Sequence, residues 1–265
     1  ESVSMDKGSR DFFELKGKVA FLPGGYGDLG RAIARSLAER GARVVVAGRS
    51  LAKGQALAAE ISDAGGKGSA VALDAMSAGE IPKAVDAVVE RYGAVDILVN
   101  CVGIQREQPI LEVTEEAFDE VYRSNLKAAM FLAQAVAKHQ VAAGRGGKQV
   151  HLLSVRSMLG IRGRGYSAYC STKGGLVMLV KQHAMELAPH RINVNGVAPT
   201  FVDSRMFDPL RSNPGFLEKA LARNPLGYLA TPEDVAGAAV FFCSAAADYI
   251  TGQILYVDGG ITASQ

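Results

Sequence analysis

From Lys18 almost to its end, the chain alternates between two kinds of segment. Short apolar runs rich in β-branched residues are each followed by a longer alanine- and leucine-rich stretch of helical period. A short apolar run suits a strand and a 3.6-residue period suits a helix, so the alternation predicts repeated βαβ units on a parallel sheet. The runs are Lys18 to Leu22, Arg43 to Ala47, Ser69 to Leu73, Val95 to Asn100, Gln149 to Leu153, Ile192 to Ala198 and Ile254 to Val257, which predicts seven strands. Apolarity within them is continuous, as in Val44-Val45-Val46, so helices should cover both faces. The expected fold is α/β: a single-domain, Rossmann-like, doubly wound seven-stranded parallel sheet with helices on both faces. At 265 residues, 48% of them apolar, the chain is long enough to bury one large core.

Helix starts are legible from caps. Thr114 stands three residues before Ala117, with Glu115 and Glu116 in the first turn, and Thr231-Pro232-Glu233-Asp234 puts proline at the first helical position. Ser77 to Glu80 resembles a capping box, but Pro82 lies where that helix would be under way, which leaves open a start delayed to Ile81. Gly144 to Gly147 reads as a turn between helix and strand. Residues 1–12 read as a flexible tail and 13–265 as one domain. Within it, 201–229 is irregular, holds Pro209, Pro214 and Pro225, and reads as a lid over the carboxyl edge of the sheet, where such folds bind ligands.

Charge and composition exclude several classes. Lys and Arg number 29 against 27 Asp and Glu, a formal net charge of +2 without any basic block, so no footprint for nucleic acid or a membrane surface is present and a small molecule is the expected partner. No apolar run reaches the roughly 20 residues of a membrane helix, and no basic-then-apolar leader pattern is seen. Cys101, Cys170 and Cys243 are odd in number and far apart, which fits a reducing, cytoplasmic setting better than a disulfide framework. His139, His151, His183 and His190 have no partners at ligand spacing, so they read as surface or core residues and no metal is expected.

Two motifs carry chemistry. After the first strand comes Pro23-Gly24-Gly25-Tyr26-Gly27-Asp28-Leu29-Gly30, leading into a helix; glycines there let the backbone approach a pyrophosphate at the helix N-terminus, which implies a dinucleotide. Tyr169-Cys170-Ser171-Thr172-Lys173 puts a phenol and an ammonium on one helix face, because residues four apart are neighbours there. A nearby cation favours phenolate, so Lys173 and a nicotinamide cation should bring Tyr169 down from its ordinary 10 toward the range useful for proton transfer.

The glycine turn, the Tyr-x-x-x-Lys pair and the strand-end Asn and Ser residues together resemble the short-chain dehydrogenase/reductase family, from about Phe13 to the end of the chain. Tyr166-Ser167-Ala168-Tyr169 is similar in wording to the family's sugar-acid and polyol dehydrogenases. The resemblance implies a dinucleotide-binding and catalytic domain with the tetrad Asn125, Ser154, Tyr169 and Lys173. The serine would hydrogen-bond the substrate oxygen and the tyrosine would exchange the proton. The lysine would bind the nicotinamide ribose, and Asn125 would hold a relay water. Ser157, closer to Tyr169 in sequence, rivals Ser154, which is favoured because it ends a strand.

The same resemblance implies the cofactor contacts. Gly24, Tyr26, Gly27, Asp28, Leu29 and Gly30 would form the pyrophosphate turn, Asp74 would lie at the adenine, Asn100 and Gly103 beside the adenosine ribose, and Pro199, Val202 and Ser204 along the nicotinamide, with Tyr169 and Lys173 completing the site. Asp28 replaces the middle family glycine and would repel phosphates unless it points outward or caps the helix. Cys101 and Val102 replace the usual Asn-Ala, and Thr200 replaces the glycine after Pro199. Gly48 stands where an acid would bind the 2′-hydroxyl of NAD and Arg49 comes next, so the expectation leans to NADP over NAD. The resemblance also implies a homotetramer.

Arg156, Arg162 and Arg164, in the segment before Tyr169, point to an acidic substrate such as a sugar acid, or else solvate a loop or meet another subunit. Cys170 reads as dispensable for turnover. The leading expectation is an NAD(P)-dependent oxidoreductase of a sugar acid, polyol or related hydroxy compound. Its rivals are a 3-oxoacyl-carrier-protein reductase and, in another class, a non-catalytic dinucleotide-binding protein.

Overall fold

The structure is a computed structural model that describes residues 11–204 and 221–264, together with 215 and 218. The chain runs β1 (Val19–Pro23), α1 (Asp28–Glu39), β2 (Arg43–Gly48), α2 (Leu51–Asp63), β3 (Lys67–Ala72), α3 (Glu80–Tyr92), β4 (Ile97–Asn100) and α4 (Glu115–Tyr122). A π-helical turn, Arg123–Lys127, joins α4 to α5 (Ala128–Ala143). Next come β5 (Gly147–Leu152), α6 (Ser167–Leu187), β6 (Ile192–Pro199), α7 (Pro232–Cys243) and β7 (Ile254–Val257). The seven strands form one parallel sheet in the order β3-β2-β1-β4-β5-β6-β7. The winding reverses between β1 and β4, and the crevice that opens there at the carboxyl edge is where an open α/β sheet takes its ligand.

Strand side chains alternate between two faces, so each strand feeds two cores. Ala20 and Leu22 of β1, with Val44, Val46, Val99 and Val197, meet Ile33 and Leu37 of α1, Leu57 of α2 and Val235 of α7. Val19 and Phe21, with Val45 and Leu98, meet Ile81 and Val85 of α3 and Leu132 and Val136 of α5. Ala198 and Val194 of β6 meet Leu176 and Val180 of α6. Slipping a strand by one residue would exchange its two faces, so the register is set by which residues fit beneath which helix.

The predicted sheet is found, with boundary corrections. Val95 and Asp96 precede β4, although Asp96 N still donates to Val19 O. β5 starts earlier than expected, at Gly147, because Gly147 and Lys148 of the supposed turn already pair with Ile192 and Asn193. β3 starts two residues before its apolar run and ends one residue short of it, paired from Lys67 with Arg43, and its edge position leaves it half exposed. Helix α3 begins at Glu80 with Gly79 as its cap, and Ser77 makes no side-chain cap; Pro82 falls in the first turn, where a missing N–H loses nothing. Of the expected tail, residues 1–10 lie outside the described residues, whereas Phe12 O accepts from Ala246 N. Residues 205–214, 216–217 and 219–220 of the expected lid also lie outside them.

Candidate active site

The segments leaving β1, β4, β5 and β6 at the carboxyl edge build the site. The chain leaves β1 at Gly24, whose φ is +73° and where a Cβ would stand 2.8 Å from the carbonyl carbon of Cys101. At Gly30 a Cβ would stand 2.7 Å from Gly24 O. Bare backbone at both positions lets the first turn of α1 sit against the β1 turn, with its N–H groups available to an anion. Gly27 is the extended cap residue and Asp28 the first helical residue, a place where the helix dipole favours a carboxylate.

After β4, Asn100 is buried; its Oδ1 accepts from Val102 N at 3.0 Å and its Nδ2 meets His151 Nδ1 at 3.3 Å. This anchors the loop that carries Gly103, where a Cβ would stand 3.4 Å from Asn125 Oδ1 and 3.5 Å from Lys173 Nζ. Asn125 lies in the π-helical turn and is fully buried. Its Oδ1 accepts from Ile104 N at 2.8 Å, and its Nδ2 donates to Ile104 O at 2.9 Å and Thr172 Oγ1 at 3.3 Å.

After β5, Ser154 Oγ accepts from Arg156 N at 3.2 Å, and its hydroxyl lies close enough to the Tyr169 phenol to favour the phenolate. Ser157 lies instead 3.3 Å from Tyr256 Oη. Lys173, 4% exposed, donates from Nζ to Leu152 O at 2.8 Å and stands 5.6 Å from the Tyr169 ring centre. The structure thus brings Asn125, Ser154, Tyr169, Lys173 and Gly103 together.

The electrostatics correct one expectation. Burial pushes the Tyr169 phenol up to about 12, and the nearby Ser154 hydroxyl only partly offsets this. Burial also lowers Lys173 to about 8. In the protein alone, desolvation of the phenolate outweighs the help expected from Lys173.

The residues present fit a dinucleotide. Thr200, just past Pro199 at the end of β6, has a buried hydroxyl with no hydrogen-bond partner among the described residues, on the edge where the nicotinamide is expected. A buried polar atom left so is costly unless a ligand meets it. Val202 is buried and bridges Ala230, and Ser204 is half-buried beyond it. Asp74 comes after β3, with its Oδ1 accepting from Met76 N, and Arg49 is exposed just past β2.

The three arginines do not act alike. Nε and Nη2 of Arg164 both meet Glu107 at 2.5 Å, so a substrate carboxylate would have to displace a bidentate partner. Arg162 is exposed. Arg156 is half-buried, gives Nη1 to Leu159 O and Gly160 O, and lies close enough to Tyr166 and Tyr169 for their charges to bear on it. Thr172, which buttresses Asn125, and Glu107 were not foreseen from sequence. Thr172 lies within the Tyr-to-Lys motif and about one helical turn past Tyr169, whereas nothing local marks Glu107.

Comparison with known proteins agrees with this geometry. A family model described as enoyl-(acyl carrier protein) reductase matches residues 27–262. Galactitol 2-dehydrogenase of Agrobacterium fabrum is 36% identical over 256 residues, covering 93% of this chain and 98% of that protein. The 3-oxoacyl-[acyl-carrier-protein] reductase of Thermotoga maritima is 34% identical over 93% of this chain and 98% of its own length. The crystal structure of a gluconate 5-dehydrogenase from Burkholderia cenocepacia, in complex with NADP and tartrate, superposes with a TM-score of 0.92 at 34% identity, covering 96% of this chain and 99% of that one. Fold, site and relatives together place this chain in the short-chain dehydrogenase/reductase family of NAD(P)-dependent oxidoreductases.

Proposed function

We propose that this oxidoreductase interconverts an alcohol and a ketone with NADP as the favoured cofactor, acting on a sugar acid, polyol or related hydroxy compound. The observation that carries the reading is the convergence of Asn125, Ser154, Tyr169 and Lys173 beneath Gly103. When bound, the nicotinamide supplies the hydride acceptor or donor. In the oxidative direction Tyr169, as phenolate, would take the proton from the substrate hydroxyl oxygen while the carbon bearing that oxygen gives up its hydride, and Ser154 would hold the same oxygen. Lys173, with one proton on Leu152 O, has two left for the ribose and for steadying the phenolate. Asn125 is locked by its Ile104 bonds and acts as a fixed wall of the relay rather than a mobile donor.

Arg49 beside Ser50, the cap of α2, supports recognition of a 2′-phosphate. The cofactor would lie along Gly24 to Gly30, Asp74, Asn100, Gly103, Pro199, Val202 and Ser204. Arg156 is the arginine we assign to an acidic substrate; the relative from Burkholderia cenocepacia is described with tartrate, a small dicarboxylate. A homotetramer is proposed too, supported by exposed Met130, Met178 and Met185 on α5 and α6. No described helix is long and apolar enough to cross a membrane. All three cysteines are free, which is the feature that supports a reducing, cytoplasmic setting.

Titration with NADPH and NADH by fluorescence, with Arg49→Ala alongside, tests the cofactor assignment. NADPH should bind more tightly and weaken by about tenfold or more in the variant, the loss expected for a charged hydrogen-bond pair. Preference for NADH discards the Arg49 role, and binding of neither favours a non-catalytic protein. A screen of sugar acids and polyols against a 3-oxoacyl carrier thioester then decides the substrate; turnover of the thioester alone would overturn the sugar assignment.

A further inference from the structure

We propose that Tyr26 sets the cofactor choice together with Arg49, by occupying the space that an acidic side chain at position 48 would need. The proposal rests on the nicotinamide-cofactor reading above. In dinucleotide folds a carboxylate at the end of the second strand holds the ribose 2′-hydroxyl and repels a 2′-phosphate. Here that position is Gly48, and the backbone does not require glycine: its φ lies outside the left-handed region and it pairs with Ala72 as an ordinary ladder residue.

What requires glycine is the tyrosine. A Cβ on residue 48 would stand 2.4 Å from Tyr26 Cε1, 2.7 Å from Oη and 2.8 Å from Cζ. The ring is held in that place from two sides. Its hydroxyl accepts from Ser50 N at 3.1 Å, and its carbons pack on the core shared by β1, β2 and α1. The glycine turn, the end of β2 and the cap of α2 are thereby one unit. With the ring so placed, position 48 presents no carboxylate, and the charged side chains next to it in the chain are cationic, Arg49 and Lys53, both exposed. Selectivity then combines attraction of a phosphate with exclusion of the group that would favour its absence.

The test is a double-substitution cycle of Gly48→Asp and Tyr26→Ser, read by dissociation constants for NADPH and NADH. Gly48→Asp alone should weaken NADPH and leave NADH nearly unchanged. The double variant should bind NADH about tenfold or more tighter than either single one, since residues in contact couple. A parallel cycle with Gly48→Ala is read by Tm without cofactor. The added methyl should lower Tm in the Tyr26 protein and not in the Tyr26→Ser background. An equal gain in NADH affinity for Gly48→Asp alone, or an equal loss of Tm in both backgrounds, overturns this proposal alone. Wild-type protein that binds neither dinucleotide overturns the cofactor reading, and this proposal with it.

Discussion

Lys173 carries its ammonium where water barely reaches, and burial lowers it from 10.5 to about 8. Between those two values the unfolded chain keeps a proton that the folded one has released, so raising pH through that window stabilises the fold; below pH 8 both states are protonated and the full cost of burying the charge remains. Lys173→Met should therefore raise the Tm of the cofactor-free protein at about pH 7 while abolishing activity, and the gap between the two proteins should narrow toward about pH 10. A lower Tm near neutral pH would mean that the bond to Leu152 O outweighs the buried charge. At the serine, Ser154→Ala should lower kcat by about a hundredfold, as removal of a group aimed at the reacting oxygen does, whereas Ser157→Ala, whose partner is Tyr256, should leave it within a few fold. Asn125, Ser154, Tyr169 and Lys173, which the fold brings together, and the glycine turn could be nominated from the sequence because each belongs to a local motif. Three other contacts, Tyr26 on Gly48, Glu107 on Arg164 and His151 on Asn100, were not, since their partners meet only once the sheet has formed.

Helix ends were the most legible elements. Thr114 caps α4 through Ala117 N, and Thr231 and Asp234 form a reciprocal capping box on α7. Both caps use residues within three positions of each other, so sequence alone contains the whole interaction. Because α7 closes the core over β1 and β6, Thr231→Ala should cost about 1 kcal/mol, seen as a lower urea midpoint with an unchanged slope; no shift would mean the helix end is held by packing alone. Less legible was the π-helical turn at Arg123–Lys127. The apolar period running through α4 and α5 gives no warning of an extra residue per turn, yet that turn carries Asn125, and such insertions tend to occur at functional sites.

At the scale of the molecule, strand count, parallel direction and helical cover could be read from the alternation of runs, and right-handed crossovers leave few other ways to connect them. Strand order had no local signal; it places the turns after β1 and β4 side by side and so assembles glycine turn, Asn100 and tetrad in one crevice. The loop around Gln108 and the loop before Tyr169 are clasped together by Gln108 N on Gly165 O and by Glu107 on Arg164, contacts that depend on the finished fold. The assembled site is proposed to perform proton transfer through Tyr169 coupled to hydride transfer. The direct measurement is the absorbance change of the nicotinamide with a sugar acid or polyol for wild type and Tyr169→Phe, with NADPH binding measured on the same samples. Turnover is expected in the wild type, with a loss of about a hundredfold or more in the variant and NADPH affinity within a few fold of the wild type; a variant that binds NADPH and retains full turnover would overturn the role of Tyr169.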